Sequence, residues 1–131
     1  MGTEKMANFG LLILRIGIGV MFIYHGLPKL MGGPGAWEGL GKTMGIFGIT
    51  FLPQFWGFMA AFAEAVGGVA LIAGIAFRPF LVLLLIDMIV ASTMHLSKGQ
   101  GLFAASHAVE MGIVFLSLIF TGPGKYVVFR F

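Results

Sequence analysis

Four stretches of this chain are long and apolar enough to cross a lipid bilayer, and they constrain its fold more than any other feature. They cover residues 9–27, 55–77, 79–95 and 103–121. Only 10% of the 131 residues are charged, whereas a soluble domain has about 25%. A transmembrane helix needs roughly 20 mostly apolar residues. The sequence therefore predicts an all-α, membrane-embedded, antiparallel four-helix bundle that forms a single domain over residues 1–131.

The connections between these spans predict how the helices are joined. Pro28 is expected to end the first span, and Arg78-Pro79 is expected to form a tight turn between the second and the third. Residues 29–54 make a long first loop that is too apolar for an ordinary solvated loop. We therefore expect this loop to contain an interfacial helix at the membrane surface.

The basic residues that flank the spans predict the orientation. An even number of spans places both termini on one side of the membrane. That side carries Lys5, Arg78, Lys125 and Arg130, against Lys29, Lys42 and Lys98 on the other. The positive-inside rule then predicts a multi-pass membrane protein with cytoplasmic termini. Because these residues are scattered singly, the net charge of +3 indicates membrane flanks and not a nucleic-acid partner.

Each predicted span also contains ionisable residues. Acidic or guanidinium groups occur once per span, and three histidines accompany them: Arg15, Glu64, Asp87, Glu110, His25, His95 and His107. A charge at the bilayer centre costs about 2.5–3.5 kcal/mol, so these groups are expected to face one another and not lipid. The helical rise of about 1.5 Å per residue predicts that the arginine and the three acids lie near the middle of the bilayer. The histidines are predicted one layer nearer the surface opposite the termini.

Helical spacing predicts how this polar core is organised. Asp87 and His95 share one stripe, and His107 and Glu110 share another. We expect Arg15 to pair with Glu64 or Asp87 and to orient the site, and Glu110 and His107 to exchange protons. One arginine against three ionised carboxylates would leave a core charge of −2, so protonated acids, charged histidines or a bound ligand must compensate. Either this polar network only holds the helices together, or it forms a site that binds a ligand or transports protons or a solute.

A set of motifs resembles the DoxX family of membrane proteins. The motifs are Leu14-Arg15, Phe22-x-x-His25-Gly26-x-x-Lys29, Glu64-x-x-Gly67-Gly68, Gly74, Arg78, Asp87-Met88 and Gly122-Pro123-Gly124-Lys125-Tyr126. They span nearly the whole chain. Members of this family resemble the small membrane subunit of thiosulfate:quinone oxidoreductase and are associated with membrane oxidoreductase complexes. The resemblance implies a four-helix inner-membrane protein that serves a quinone or electron-transfer role as a subunit beside a separate redox partner.

Three functions remain open on the residues alone. The first is a quinone site in which Arg15, His25, Glu64, Asp87 and His95 bind the ligand, with Glu110 and His107 as the proton-exchanging pair. The second is transport of protons or a small solute, for which four helices enclose little space unless the protein forms a homo-oligomer. The third is an intramembrane metal site or a purely structural scaffold. Because the chain has no cysteine, it contains no thiol relay or thiolate-held iron–sulfur cluster, and redox chemistry would need a bound cofactor.

Overall fold

In the computed structural model, residues 2–128 are described and all of their regular secondary structure is helical. The elements are α1 (Thr3–Met31), α2 (Gly33–Gly41), a 3₁₀ helix (Lys42–Phe47), α3 (Pro53–Ala73), α4 (Phe77–Ser97) and α5 (Gly101–Thr121). Helices α1, α3, α4 and α5 are long and apolar enough to cross a membrane. The predicted all-α membrane bundle is thus confirmed. Met1 and residues 129–131, which include Arg130, lie outside the described residues.

Helix α1 is longer than the predicted first span and does not end at Pro28. It runs for 29 residues with Pro28 inside its last turn. Proline has no N–H to donate, but its carbonyl oxygen still accepts a hydrogen bond from Gly32 N at 3.0 Å. The loss of one donor near a helix end leaves the following turn intact. The prediction that Pro28 ends the helix is therefore wrong.

The turn between the second and third spans lies four residues earlier than predicted. Helix α3 ends at Ala73, and its carbonyl end is closed by Gly74 in the left-handed region at φ 75°, a conformation that costs glycine little. Helix α4 starts at Phe77, so Arg78 and Pro79 belong to its first turn. Proline is tolerated there because the first amides of a helix have no partner within the helix.

The long first loop contains helix α2 and the 3₁₀ helix, in agreement with the expectation of a helix in that loop. Helix α2 packs directly on the first half of α3. Gly57 contacts the backbone of Trp37, and Gly41 contacts the backbone of Pro53. A side chain at either glycine would force the two helices apart. The loop is thus part of the bundle wall.

The transmembrane helices form a ring in which α1 packs on α3, α3 on α4, and α4 on α5. Helices α1 and α5 complete the ring through large side chains, and the rings of Phe22 and Phe115 meet edge to face with centroids 5.1 Å apart. Backbone N–H of Lys125 donates to Asn8 Oδ1 at 3.0 Å. The start of α1 and the end of α5 are therefore on one side of the bundle, called here the terminal side; the other is the far side.

Candidate functional site

An ion pair links α1 to α3 near the middle of the bundle. Lys29 Nζ donates to Glu64 Oε1 at 2.9 Å, and the Glu64 side chain is only 7% exposed while that of Lys29 is 38% exposed. Gly26 makes the approach possible, because an added Cβ would lie 2.6 Å from the Cβ of Glu64. Lys29 follows one helical turn later on the same face of α1. The glycine contact therefore places the lysine where it reaches the buried glutamate.

The carboxyl group of Asp87, on α4, completes this cluster. It interacts electrostatically with both Glu64 and Lys29, and it lies close enough to Glu64 for the two carboxyl groups to share a proton. With one shared proton, the ammonium and the two carboxyl groups form a neutral cluster. Lys29, Glu64 and Asp87, named below the acid–lysine cluster, thus meet the requirement that buried charge be compensated.

One oxygen of this cluster has no partner. Asp87 Oδ2 is buried and accepts or donates no hydrogen bond within residues 2–128. An unsatisfied buried polar atom is unfavourable by about 1–3 kcal/mol. The Asp87 side chain also lines a pocket of about 230 Å³ between α3, α4 and the first loop. The pocket therefore combines an open volume with one polar group that lacks a partner.

The rest of the pocket wall is almost entirely apolar. Its lining from the first loop is Leu40, Gly41, Thr43 and Met44; from α3 it is Phe55, Trp56, Met59, Ala60 and Ala63; from α4 it is Leu83, Ile86, Asp87 and Val90. Phe55 and Ile86 are about half exposed, at 48% and 52%. The pocket consequently opens sideways, where these two residues would meet lipid. An apolar cleft with few polar side chains, here Thr43 and Asp87, is typical of a small-molecule site.

Arg15 does not belong to this cluster, although the sequence predicts that it pairs with Glu64 or Asp87. It is 1% exposed, and its guanidinium donates to the carbonyl oxygens of Leu71 and Ile72 at 2.8 Å each. Two further bonds reach the carbonyl oxygens of Pro123 and Tyr126 at 3.0 and 2.6 Å. The predicted pairing is wrong because the end of α3 and the segment after α5 offer four carbonyl groups at the terminal side, away from the bilayer centre.

The other pair assigned a proton-exchanging role, Glu110 and His107, lies outside the pocket. Both residues are exposed on α5, and neither forms an ion pair or hydrogen bond within the described part of the chain. The imidazole of His107 instead lies beside that of His25 on α1, with ring centroids 6.0 Å apart. Helical spacing predicts the shared stripe correctly, but that stripe faces outward. The expectation that all four charged groups face one another is therefore wrong for Glu110 as well as for Arg15.

His95 is the last of the predicted site residues. It lies two residues before the end of α4, and its Nδ1 is hydrogen-bonded to Gln100 Oε1. Asp87, two turns earlier on α4, lines the pocket, whereas His95 does not. No group of three or more His, Asp or Glu side chains among residues 2–128 is arranged to hold a metal ion. The structure brings together Glu64 and Asp87, places His25 beside His107 on the outer face, and separates Arg15 and His95 from both pairs.

Lys29 is the site residue that the sequence reasoning missed, because it was counted only as a flanking charge. A signal was present in the sequence. A buried glutamate requires a counter-charge. Gly26 and Lys29 lie three residues apart on one face of α1, and α1 ends near the depth of Glu64. Thr43 and Met44 were likewise missed as pocket residues, since only the folded loop brings them to α4.

Comparison with known proteins agrees with this architecture. A family model described as DoxX matches residues 10–96, more than half of the chain. The chain belongs to the DoxX family. The matched segment of this DoxX chain includes the whole acid–lysine cluster, whereas His107 and Glu110 on α5 lie beyond it. Membership and the four apolar helices together indicate a multi-pass membrane protein.

One curated relative of this DoxX chain is a protein of Bacillus subtilis (strain 168) with the name "Putative oxidoreductase CatD". The two are 36% identical over 75 residues, which is 57% of this chain and 51% of the relative. The chain thus spans about half the length of the curated relative that it matches. No solved structure matches the chain.

Proposed function

We propose that this DoxX chain is a membrane subunit that binds a quinone in the Asp87 pocket and works with a separate redox partner. The observation that carries the proposal is the Asp87 side chain in the wall of an apolar pocket, with one carboxyl oxygen, Oδ2, that has no hydrogen-bond partner among residues 2–128. A quinone head group is a flat apolar ring with carbonyl oxygens that accept hydrogen bonds. A protonated Asp87 carboxyl is a donor of the required kind, and the apolar wall suits the ring.

The size and position of the pocket support a ligand that is only partly enclosed. Its volume of about 230 Å³ is below the roughly 300–1,000 Å³ of pockets that enclose a drug-sized ligand. A ring-sized head group matches this volume if its isoprenoid tail remains in the bilayer. The opening between Phe55 and Ile86 faces the side from which a lipid-soluble carrier would enter. The same features favour a membrane-soluble ligand over a water-soluble one.

The acid–lysine cluster supports proton exchange at that ligand. Reduction of a quinone to a quinol takes up two electrons and two protons, and we assign the electrons to the redox partner. Asp87 donates to a carbonyl oxygen the one proton that it shares with Glu64, and the two acids then regain a proton from the exterior. Lys29 holds Glu64 at 2.9 Å and is partly exposed, so it connects the buried acids to the exterior. The second proton is not assigned to a residue.

The name of the Bacillus subtilis relative supports an oxidoreductase context for this chain but specifies no ligand. The alternative of a proton or solute channel has less support from the geometry. Towards the terminal side, the charged group on this axis is Arg15, whose guanidinium bonds are occupied by four backbone carbonyls. Among residues 2–128 the buried charged residues are Arg15 and Glu64, so a proton beyond the acid–lysine cluster would meet no buried acid or histidine towards the terminal side.

The test uses the two tryptophans of the chain, one of which, Trp56, lines the pocket. Quenching of their fluorescence by decylubiquinone or menadione measures binding to purified protein in lipid nanodiscs. We expect saturable quenching, and an affinity up to about tenfold weaker in Asp87→Leu, which has no hydrogen-bond donor, because a neutral hydrogen bond contributes about 0.5–1.5 kcal/mol. The matched control is Glu38→Gln, which neutralises an exposed carboxyl on α2 and should leave the affinity unchanged.

A second variant separates a binding role of the pocket from a purely structural role of Asp87. Ala60→Phe fills the pocket and changes no charge. We expect it to abolish saturable quenching while the helical circular dichroism and the elution volume remain those of the parent protein. Equal quinone affinity in the parent, Asp87→Leu and Ala60→Phe proteins would contradict the proposal and leave a structural polar network as the better explanation.

A further inference from the structure

Glu110 is exposed on the outer face of α5, at a depth where the surrounding solvent would be lipid. It lies nine residues from the start of α5 and eleven from its end, about 14 and 16 Å at the rise of a helix. It accepts no hydrogen bond and forms no ion pair with any residue between 2 and 128. An ionisable group at midplane that faces hydrocarbon is unfavourable, so such residues usually face protein or water.

Two histidines lie next to this glutamate at the junction of α1 and α5. His25 and His107 are exposed and their rings are 6.0 Å apart, and neither imidazole is hydrogen-bonded within the described chain. We name His25, His107 and Glu110 the α1/α5 seam. The seam carries both kinds of group that form an ion pair, but within one molecule no imidazole nitrogen lies within 4.0 Å of the Glu110 carboxylate.

His25 and Glu110 lie at nearly equal depth. Gly26, the neighbour of His25, abuts Glu64 and Ala65 on α3, which are eight and nine residues from the end of that helix at Ala73. This corresponds to about 12–14 Å from the terminal side, against about 16 Å for Glu110. A two-fold axis along the membrane normal preserves depth. It can therefore set the His25 of each copy opposite the Glu110 of the other.

We propose that a second copy of this chain packs against the α1/α5 seam, with two reciprocal His25–Glu110 pairs across the interface. A two-fold interface must be self-complementary, and the seam meets this requirement because it carries both members of the pair. Met21 and Tyr24, which are 50% and 72% exposed next to His25, supply apolar surface around the polar pair. The interface removes Glu110 from lipid and leaves the Asp87 pocket, between α3 and α4, accessible.

Directed crosslinking tests this arrangement. Because the chain has no cysteine of its own, thiol crosslinks between copies form only at the introduced cysteines. Two differently tagged copies are co-expressed, one with His25→Cys and the other with Glu110→Cys. One reciprocal pair remains intact in the mixed dimer. We expect a mixed-tag product after a short bifunctional thiol reagent is applied to membranes. The matched control replaces His25→Cys by Val82→Cys, which is 44% exposed on α4, and should give no such product.

Charge exchange gives a second, independent readout. His25→Glu alone should lower the dimer association constant in detergent about tenfold, since it removes two interhelical polar pairs and introduces like charges. His25→Glu combined with Glu110→His should restore it. The proposal is overturned if His25–Glu110 crosslinking does not exceed the Val82 control, if the double variant remains as weak as the single one, or if the seam crosslinks to a different membrane protein. Quinone affinity is not part of either readout, so this result and that of the pocket test are separable.

Discussion

At the scale of single residues, Arg15 shows how a buried charge can be satisfied without an opposite charge. Its planar guanidinium has five N–H donors in a fixed arrangement, and four bonds of 2.6–3.0 Å reach backbone carbonyls of two separate segments. The carbonyl ends of helices carry partial negative charge, which stabilises a cation. Arg15 therefore ties the segment after α5 to the end of α3.

We expect Arg15→Lys to detach this segment while the bundle remains folded. A lysine ammonium has three donors on a flexible stem and cannot reach all four carbonyls, so the loss should be on the order of 3 kcal/mol of unfolding free energy. The first effect should be rapid proteolysis after Gly122. Limited proteolysis followed by mass spectrometry measures it, and Lys5→Arg, at an exposed position, serves as the control. Unchanged protection of residues 123–128 would contradict this role.

At the scale of elements, glycines determine how closely α1 approaches α3. Gly19 and Gly68 face each other, and a Cβ on Gly19 would lie 2.6 Å from the carbonyl oxygen of Gly68. Gly26 contacts the backbone of Ala65 in the same way. Small residues allow this close packing in membranes, where the hydrophobic effect does not drive helices together. The contact also sets the position of Lys29 beside Glu64.

We expect Gly26→Ala to separate α1 from α3, because the new methyl group would overlap the α3 backbone, which cannot move aside as a flexible side chain can. The expected cost is about 1–3 kcal/mol, measured as a lower midpoint of thermal unfolding in detergent. Gly17→Ala is the matched control on the same helix, since nothing lies within 4 Å of that position. It should stabilise the helix slightly, and equal destabilisation by both substitutions would contradict the close-packing argument.

At the scale of the whole molecule, the folded structure changes the charge count that predicts orientation. Lys29 is drawn into the bundle by Glu64 and no longer flanks the membrane. Among the described residues, Lys5, Arg78 and Lys125 then remain on the terminal side, against Lys42 and Lys98 on the far side. The bias of the positive-inside rule is thereby retained, and we propose cytoplasmic termini.

Reporter fusions measure this orientation. Alkaline phosphatase is active only outside the cytoplasm, so a fusion in the Lys98–Gln100 loop should be active and a fusion after the last residue should be inactive. Green fluorescent protein, which does not fluoresce after export in unfolded form, should give the reverse pattern. Fusion to Gly2 provides the control for the shared side of the two termini. Activity at the C-terminal fusion would reverse the proposed topology.

Hydropathy along the chain was enough to predict the number of spanning helices and the class of fold, because hydropathy over about 20 residues depends on composition and not on contacts. The sequence also indicated Glu64 and Asp87, since ionisable groups are rare in apolar spans. It mispredicted the helix ends at Pro28 and Arg78-Pro79, where local preference was overruled by the continuing hydrogen-bond pattern and by the left-handed turn at Gly74.

Which charged groups contact one another depends on how the helices pack in the tertiary structure. Spacing along a helix fixes the face that residues share, but not whether that face points inward; His107 and Glu110 share a stripe that faces out. The partners of Arg15 are backbone carbonyls, which carry no sequence signal. Lys29 reaches Glu64 because Gly26 lets two helices touch. Long-range contacts of this kind depend on helix packing, and for that reason the acid–lysine cluster and its pocket became visible only in the folded chain.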